Sequence, residues 1–146
     1  LELPTSTWGE ERAEAMRYLA RTAPTRKMYW LDRARLEAPH RREIWLDLAE
    51  ELHSQADWPN LFWACTSGIE KTRRTGSYLD DERSWGFRLY DLGAIAAWRL
   101  NVMDLAVMWG EMASGLDPDN GRLRRNLEFF LAKRRGILDA SVDQKA

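Results

Sequence analysis

The chain has 146 residues, with 22 Lys+Arg against 23 Asp+Glu, one cysteine, two histidines and eight tryptophans. A chain of this size buries roughly 68 to 70% of its unfolded surface, enough for one domain to hold a core unaided. Cys65 alone makes no intrachain bridge, one thiol with two histidines leaves no Cys/His zinc set, and a net charge of −1 argues against non-specific nucleic-acid binding.

Apolar spacing of helical period recurs along the chain, and no stretch alternates with period two. Helices are predicted near 7–22, 25–38, 41–55, 58–73, 81–100, 102–116 and 119–135. Thr7 with Glu10 has the spacing of a capping box. Trp45, Leu48, Ala49 and Leu52 form one buried face of the third helix, and Leu61, Ala64, Cys65, Gly68 and Thr72 give the fourth a stripe of mostly small residues. Phe87, Tyr90, Ala94 and Ala97 mark the fifth, and Leu105, Trp109, Met112 and Leu116 the sixth. Asp57, Asp80, Asn101 and Asp117 are N-cap candidates, with Pro59 and Pro118 expected in first turns. The one sizeable loop is 74–80, and residues 139–146 read as a polar tail beyond a 1–138 domain.

The longest apolar stretch, Leu92 to Trp98 counting Gly93, has seven residues, against about 20 for a membrane span. No signal or transit segment opens the chain, so a cytoplasmic location is expected. It begins with Leu1 where an initiator Met would stand, so it reads as a fragment of something longer.

Self-similarity sharpens the all-helical reading. Ala15 and Ala49, Tyr18 and Leu52, Leu31 and Cys65, and Ala34 and Gly68 are each 34 apart. The next unit is displaced by 45, from Ala49 to Ala94 and from Gly68 to Ala113, which puts an 11-residue insertion between Gly68 and Ala94. A 34-residue helix-turn-helix period is the tetratricopeptide signature. The fold class expected is therefore all-α: a tetratricopeptide-like right-handed solenoid of about three hairpins, 7–38, 41–73 and 81–116, plus a closing helix 119–135. In the closing helix Leu123, Leu127 and Phe130 should face inward and Arg124, Arg125, Lys133 and Arg134 mostly outward. Trp30, Trp45, Trp58, Trp63 and Trp109 are expected to be structural.

The segments ERAEAMRYLAR, LEAPHRREIWLDLAEEL, ADWPNLFWA, YDLGAIAAWRL and LDPDNGRLRRNLEFF carry a resemblance over most of residues 1–135. The chain resembles the tetratricopeptide-type helical segment at the C-terminal side of bacterial and phage family 2 glycosyltransferases. It departs from the general repeat at Lys27 and Leu61, where an alanine is usual. The resemblance implies that a sugar-nucleotide site lies N-terminal to this fragment.

No residue pattern in the chain itself points to catalysis. Asp117-Pro118-Asp119 has the spacing of a metal-holding acidic pair, but Asp before Pro at a helix start is explained by capping and the helix dipole. Asp80-Asp81-Glu82 reads the same way. His53 and Ser54 are neighbours on a helix, so their side chains diverge; Cys65 lies on the small-residue stripe; His40 sits in a turn. No cofactor, metal or catalytic residue is expected. Basic clusters such as Arg73-Arg74 and Lys133-Arg134-Arg135 are interleaved with acids, which disfavours an RNA-binding repeat, and no polar code recurs at matched positions.

The functional candidate is the concave surface of the first helix of each hairpin, expected to present Arg12, Glu43, Leu46, Glu50, His53, Arg88, Asp91, Ile95, Trp98 and Arg99. Arginine and an exposed aromatic suit recognition of a peptide, a protein or the catalytic domain of the same parent chain. A homo-oligomer remains open. The rival is an enzyme or a sugar- or acceptor-binding unit whose site lies in the groove itself, with Trp98 stacking a sugar and Asp91, Glu50 or His53 making polar contacts. If Trp98 packs under the closing helix, the groove loses its anchor. Tyr78 and Trp85, in the insertion around 74–86, either extend the groove or cover the stack.

Overall fold

The computed structural model describes residues 5–74, 76 and 78–136, and the side chains from Trp8 onward within them. The Thr7 side chain and the 139–146 tail lie outside the described residues; because α1 already begins at Thr5, Thr7 is its third residue and not the expected N-cap. Among those described there are seven α-helices and no strand: α1 Thr5–Thr22, α2 Lys27–Glu37, α3 Arg42–Ser54, α4 Trp58–Lys71, α5 Arg88–Arg99, α6 Met103–Leu116 and α7 Gly121–Arg134. Each packs on its neighbour in sequence, and α3 also touches α5. No helix among the described residues is long and apolar enough to cross a membrane.

The repeat is written into backbone geometry. Between α3 and α4 the chain turns through Ala56 at φ 54°; between α5 and α6, 45 residues on, it turns through Asn101 at φ 61°. Both turns close with a six-to-one bond, Asp57 N–H to the Leu52 carbonyl (3.0 Å) and Val102 N–H to the Ala97 carbonyl (2.8 Å). The junctions between units recur as well. Ala38 and Asp117 have nearly the same backbone angles, φ −140° with ψ 70° and 73°. Each is followed by proline, and each carbonyl accepts from the residue three ahead, Arg41 or Asn120.

Three expected caps move, the first from Asp80 to Asp81, whose side chain accepts from the Arg83 N–H. Asn101 is the left-handed turn residue and Val102 the N-cap; Asp117 ends α6, while Asn120 caps α7 by accepting from the Arg122 and Leu123 N–H groups. Pro118 lies in the junction, before α7 begins at Gly121. Asp57 does cap α4, accepting from the Asn60 N–H, with Pro59 in the first turn.

Burial follows the repeat on the second helices: Leu31, Cys65 and Gly110 are buried at matched positions, as are Ala34, Gly68 and Ala113. Backbones approach closely there. A Cβ on Gly68 would stand 2.8 Å from Trp45 Cβ, and one on Gly93 would meet Trp109 Cε3 at 2.9 Å. The first helix departs from the 34-residue register, because Ala15 and Tyr18 are exposed while Ala49 and Leu52 are buried. Its buried residues Ala13, Arg17 and Ala20 match Trp45, Ala49 and Leu52 at an offset of 32. The reason is the first turn: a single residue, Ala23, separates α1 from a 3-10 turn at Pro24–Arg26, whereas three separate α3 from α4. Trp45 and Trp109 are buried, Trp30 and Trp58 partly so; Trp63 is exposed, with the Arg35 guanidinium 5.0 Å from its ring centroid.

The helix expected over 81–100 is shorter, because a 3-10 turn at Glu82–Trp85 precedes it and α5 starts only at Arg88. Gly86 at ψ −150° breaks the helical path. Trp85 is held aside by the Arg42 guanidinium, 4.2 Å from its ring centroid, and by a 3.2 Å hydrogen bond from its Nε1 to Glu43. The insertion thus occupies 72–87, and α3 clamps it. Asp81 N–H donates to Glu43 Oε1 (3.0 Å), Arg41 pairs with Asp80 (2.9 Å), and Arg42 Nε donates to Thr72 Oγ1 (2.9 Å).

Candidate functional site

The charged surface is organised by one helix. On α3, Asp47, Glu50 and Glu51 fall at i, i+3 and i+4, so their carboxylates share a face. The opposite face carries buried Leu46, Leu48, Ala49 and Leu52, which fixes the helix and hence the row of acids.

Cations from four other elements lean onto this row. Arg17 of α1 donates to Asp47 at 2.8 Å, with Arg21 3.9 Å away, and Lys27 of α2 stands 3.2 Å from Glu51. Arg83, from the 3-10 turn of the insertion, bonds Glu50, which Arg88 of α5 also approaches at 3.5 Å. Among the cations on this row, Arg17 is the nearly buried one. Burial opposes its charge, but the hydrogen bond and charge of Asp47, aided by Glu14, outweigh that and raise its pKa. For Arg83 the hydrogen bond to Glu50 leads and raises the pKa against partial burial.

Two cavities flank the Arg83–Glu50 bridge. One, about 450 Å³, lies towards Arg17, Lys27 and Ser54; the other, about 510 Å³, lies towards Phe87 and Arg88. Both are lined by Glu50 and Arg83.

The expected groove residues divide. Glu50 and Arg88 are at this site. Leu46 and Ile95 are in the core, fully buried, so the first-helix faces turn further inward than the repeat register implied. Glu43 is buried as the anchor of the insertion. Asp91 is buried too, taking two hydrogen bonds from Arg122 of α7 (3.0 and 2.7 Å) and one from Arg88 (2.7 Å). It ties α5 to α7 and is not presented to a ligand. Arg12 pairs with Glu37 of α2, and His53 packs edge-on against Trp58. Trp98 packs edge-on against Phe129 of the closing helix, with ring centroids 5.6 Å apart, and its ring carries the Arg99 guanidinium at 4.3 Å. Arg99 also stands 4.9 Å from Trp58, so Trp98 is not a free stacking platform.

Sequence reasoning passed over Arg17, Lys27, Asp47, Glu51 and Arg83. The i, i+3, i+4 acids were visible in the sequence; the reach of Arg83 was not, since the insertion has no periodicity. Tyr78 stays outermost and donates to Glu11 at 3.3 Å, whose negative charge raises the phenol's pKa. Asp117 accepts from Asn120 Nδ2 (3.2 Å), and among the described residues no group of three His, Cys, Asp or Glu is placed to hold a metal ion. No protein-family model matches the chain, and no curated protein matches it.

Proposed function

We propose that this chain is a non-catalytic interaction module, a tetratricopeptide-like right-handed solenoid of three hairpins and a closing helix. Its groove along α1, α3 and the start of α5 takes an extended polypeptide segment. The observation that carries this reading is the row Asp47, Glu50 and Glu51 on a core-anchored helix, with a cavity on either side of Glu50. The recurrence of turns and junctions at the 45- and 79-residue offsets supports the repeat class. The sequence resemblance supports a parent glycosyltransferase, in which the module orients the catalytic domain or holds an acceptor-bearing partner.

Selection of random peptides on the whole chain tests the reading. Binding peptides should emerge, and Glu50→Gln should weaken them by about tenfold, the scale of one charge-assisted hydrogen bond. Saturable binding of UDP-sugars with a divalent metal, followed by tryptophan fluorescence and lost in Trp98→Ala, would overturn it in favour of a sugar-binding unit.

A further inference from the structure

The groove is lined almost evenly by acids and bases, but the two are not equivalent. Three of the four acids, Asp47, Glu50 and Glu51, are short side chains on one face of a single packed helix; the fourth, Asp81, lies in the insertion. The cations are long and come from α1, α2, the insertion and α5. Exposure separates them as well: the side chains of Arg21, Lys27 and Arg83 are 56, 38 and 54% exposed, against 17, 23 and 30% for Asp47, Glu51 and Glu50. The carboxylates form a floor, and the outer cations lie on it.

That asymmetry selects the ligand charge. Exposed ion pairs contribute about 0–1 kcal/mol, so an incoming cation can displace an outer one at little cost while the floor stays neutralised. An acidic ligand would draw Arg21, Lys27 and Arg83 off the row, leaving Asp47 only Arg17 and Glu50 only Arg88 as cationic partners, with like charges adjacent on one helix face.

Spacing selects the ligand form. Asp47 and Glu51 are four residues apart, about 6 Å along the helix axis. Side chains on one face of an extended strand repeat every two residues, at about 6.6–6.8 Å. We propose that Asp47, Glu50 and Glu51 bind an extended basic segment of a partner protein with arginine or lysine at alternate positions. Arg83 is the internal stand-in for one of those cations.

This rests on the groove being a polypeptide site and adds the partner's chemistry and a built-in competitor. Arg83 is well placed for that role. Its backbone N–H is capped by Asp81 (3.0 Å), and Trp85 and Glu43 pin the turn that carries it. Its side chain borders both cavities, so withdrawing it widens the space on either side of Glu50.

The test titrates the whole chain with three short fluorescein-labelled peptides in a Gly/Ser background, carrying Arg-Gly-Arg, adjacent Arg-Arg or Glu-Gly-Glu, and reads anisotropy at low and high salt. The Arg-Gly-Arg peptide should bind best. Arg83→Ala should tighten it about three- to tenfold by removing an exposed competitor, and Glu50→Gln should weaken it about tenfold. Circular dichroism checks that both variants fold. Tighter binding of Glu-Gly-Glu, or weaker Arg-Gly-Arg binding in Arg83→Ala, would overturn the basic-partner inference while leaving a peptide groove. Equal binding of the two arginine spacings would overturn the extended form. Failure of all three peptides, on wild type and Arg83→Ala alike, would overturn the inference; failure of the random-peptide selection as well would remove the groove.

Discussion

Gly68→Ala is the sharpest probe of how these helices meet. A methyl there would stand 2.8 Å from Trp45 Cβ and 2.9 Å from Leu89 Cδ2. Leu89 Cδ2 ends a side chain that can rotate; Trp45 Cβ is fixed to the α3 backbone and cannot. The helix itself favours the substitution, since alanine is better than glycine in a helix interior by about 0.8–1.0 kcal/mol. Overpacking costs about 1–3 kcal/mol, and two contacts under 3 Å belong in the upper half of that range. The net expectation is a loss of about 1–2 kcal/mol, or about 2–8 °C in Tm for a chain of this length. Gly115→Ala is the control: it is also in a helix, with nothing within 4 Å of the new methyl, so it should be neutral or gain up to about 1 kcal/mol. Urea unfolding of both variants, followed by circular dichroism and tryptophan fluorescence, isolates the contact as their difference. If Gly68→Ala were as stable as wild type, the close approach of α3 and α4 at Trp45 would be wrong.

Asp91→Asn should cost about 3–5 kcal/mol by removing the buried countercharge of Arg122, and a shift under about 1 kcal/mol in urea unfolding would refute the α5–α7 tie. Cys65 is buried, and burial first, then the charge of Asp91, raises its thiol pKa. It should react with a disulfide reagent at pH 8 only after unfolding. Because its folded pKa lies above the ordinary 9.0, its contribution to stability is complete below that value and falls as pH rises past it. The slope approaches about 1.4 kcal/mol per pH unit and should be missing in Cys65→Ala.

The second helices were legible because their constraint is local and periodic. Ala34, Gly68 and Ala113 recur at the offsets read from the spacing, and all three are buried. The first helix misled because turn length is set by whether the chain takes a left-handed residue, as at Ala56, or enters a 3-10 turn through Ala23 and Pro24. That choice shifts every α1 residue relative to the repeat. The site was half legible. Glu50 and Arg88 were named from the expected concave face, and the same logic wrongly assigned Asp91 and Glu43 to it. Their charge suggested solvent, but inside the fold Arg122 bonds Asp91 and the Asp81 N–H bonds Glu43 Oε1. Both partners come from other elements, 31 and 38 residues away, and no helical periodicity reports such pairs.

The uneven junctions separate architecture from recognition. Two of the three links between units use four residues, 38–41 and 117–120; the link across 72–87 uses sixteen. Closing a loop four times longer costs only about 1.2 kcal/mol of extra chain entropy. Stacking of α3, α4 and α5 is set by Gly68, Gly93 and Cys65, none of which lies in that link. The segment bearing Arg83 is therefore a side branch on the helical frame. Its outer length and charge can be rewritten, so long as Thr72, Asp80, Asp81 and Trp85 keep their seats on α3, to retune which partners gain entry without refolding the helices beneath.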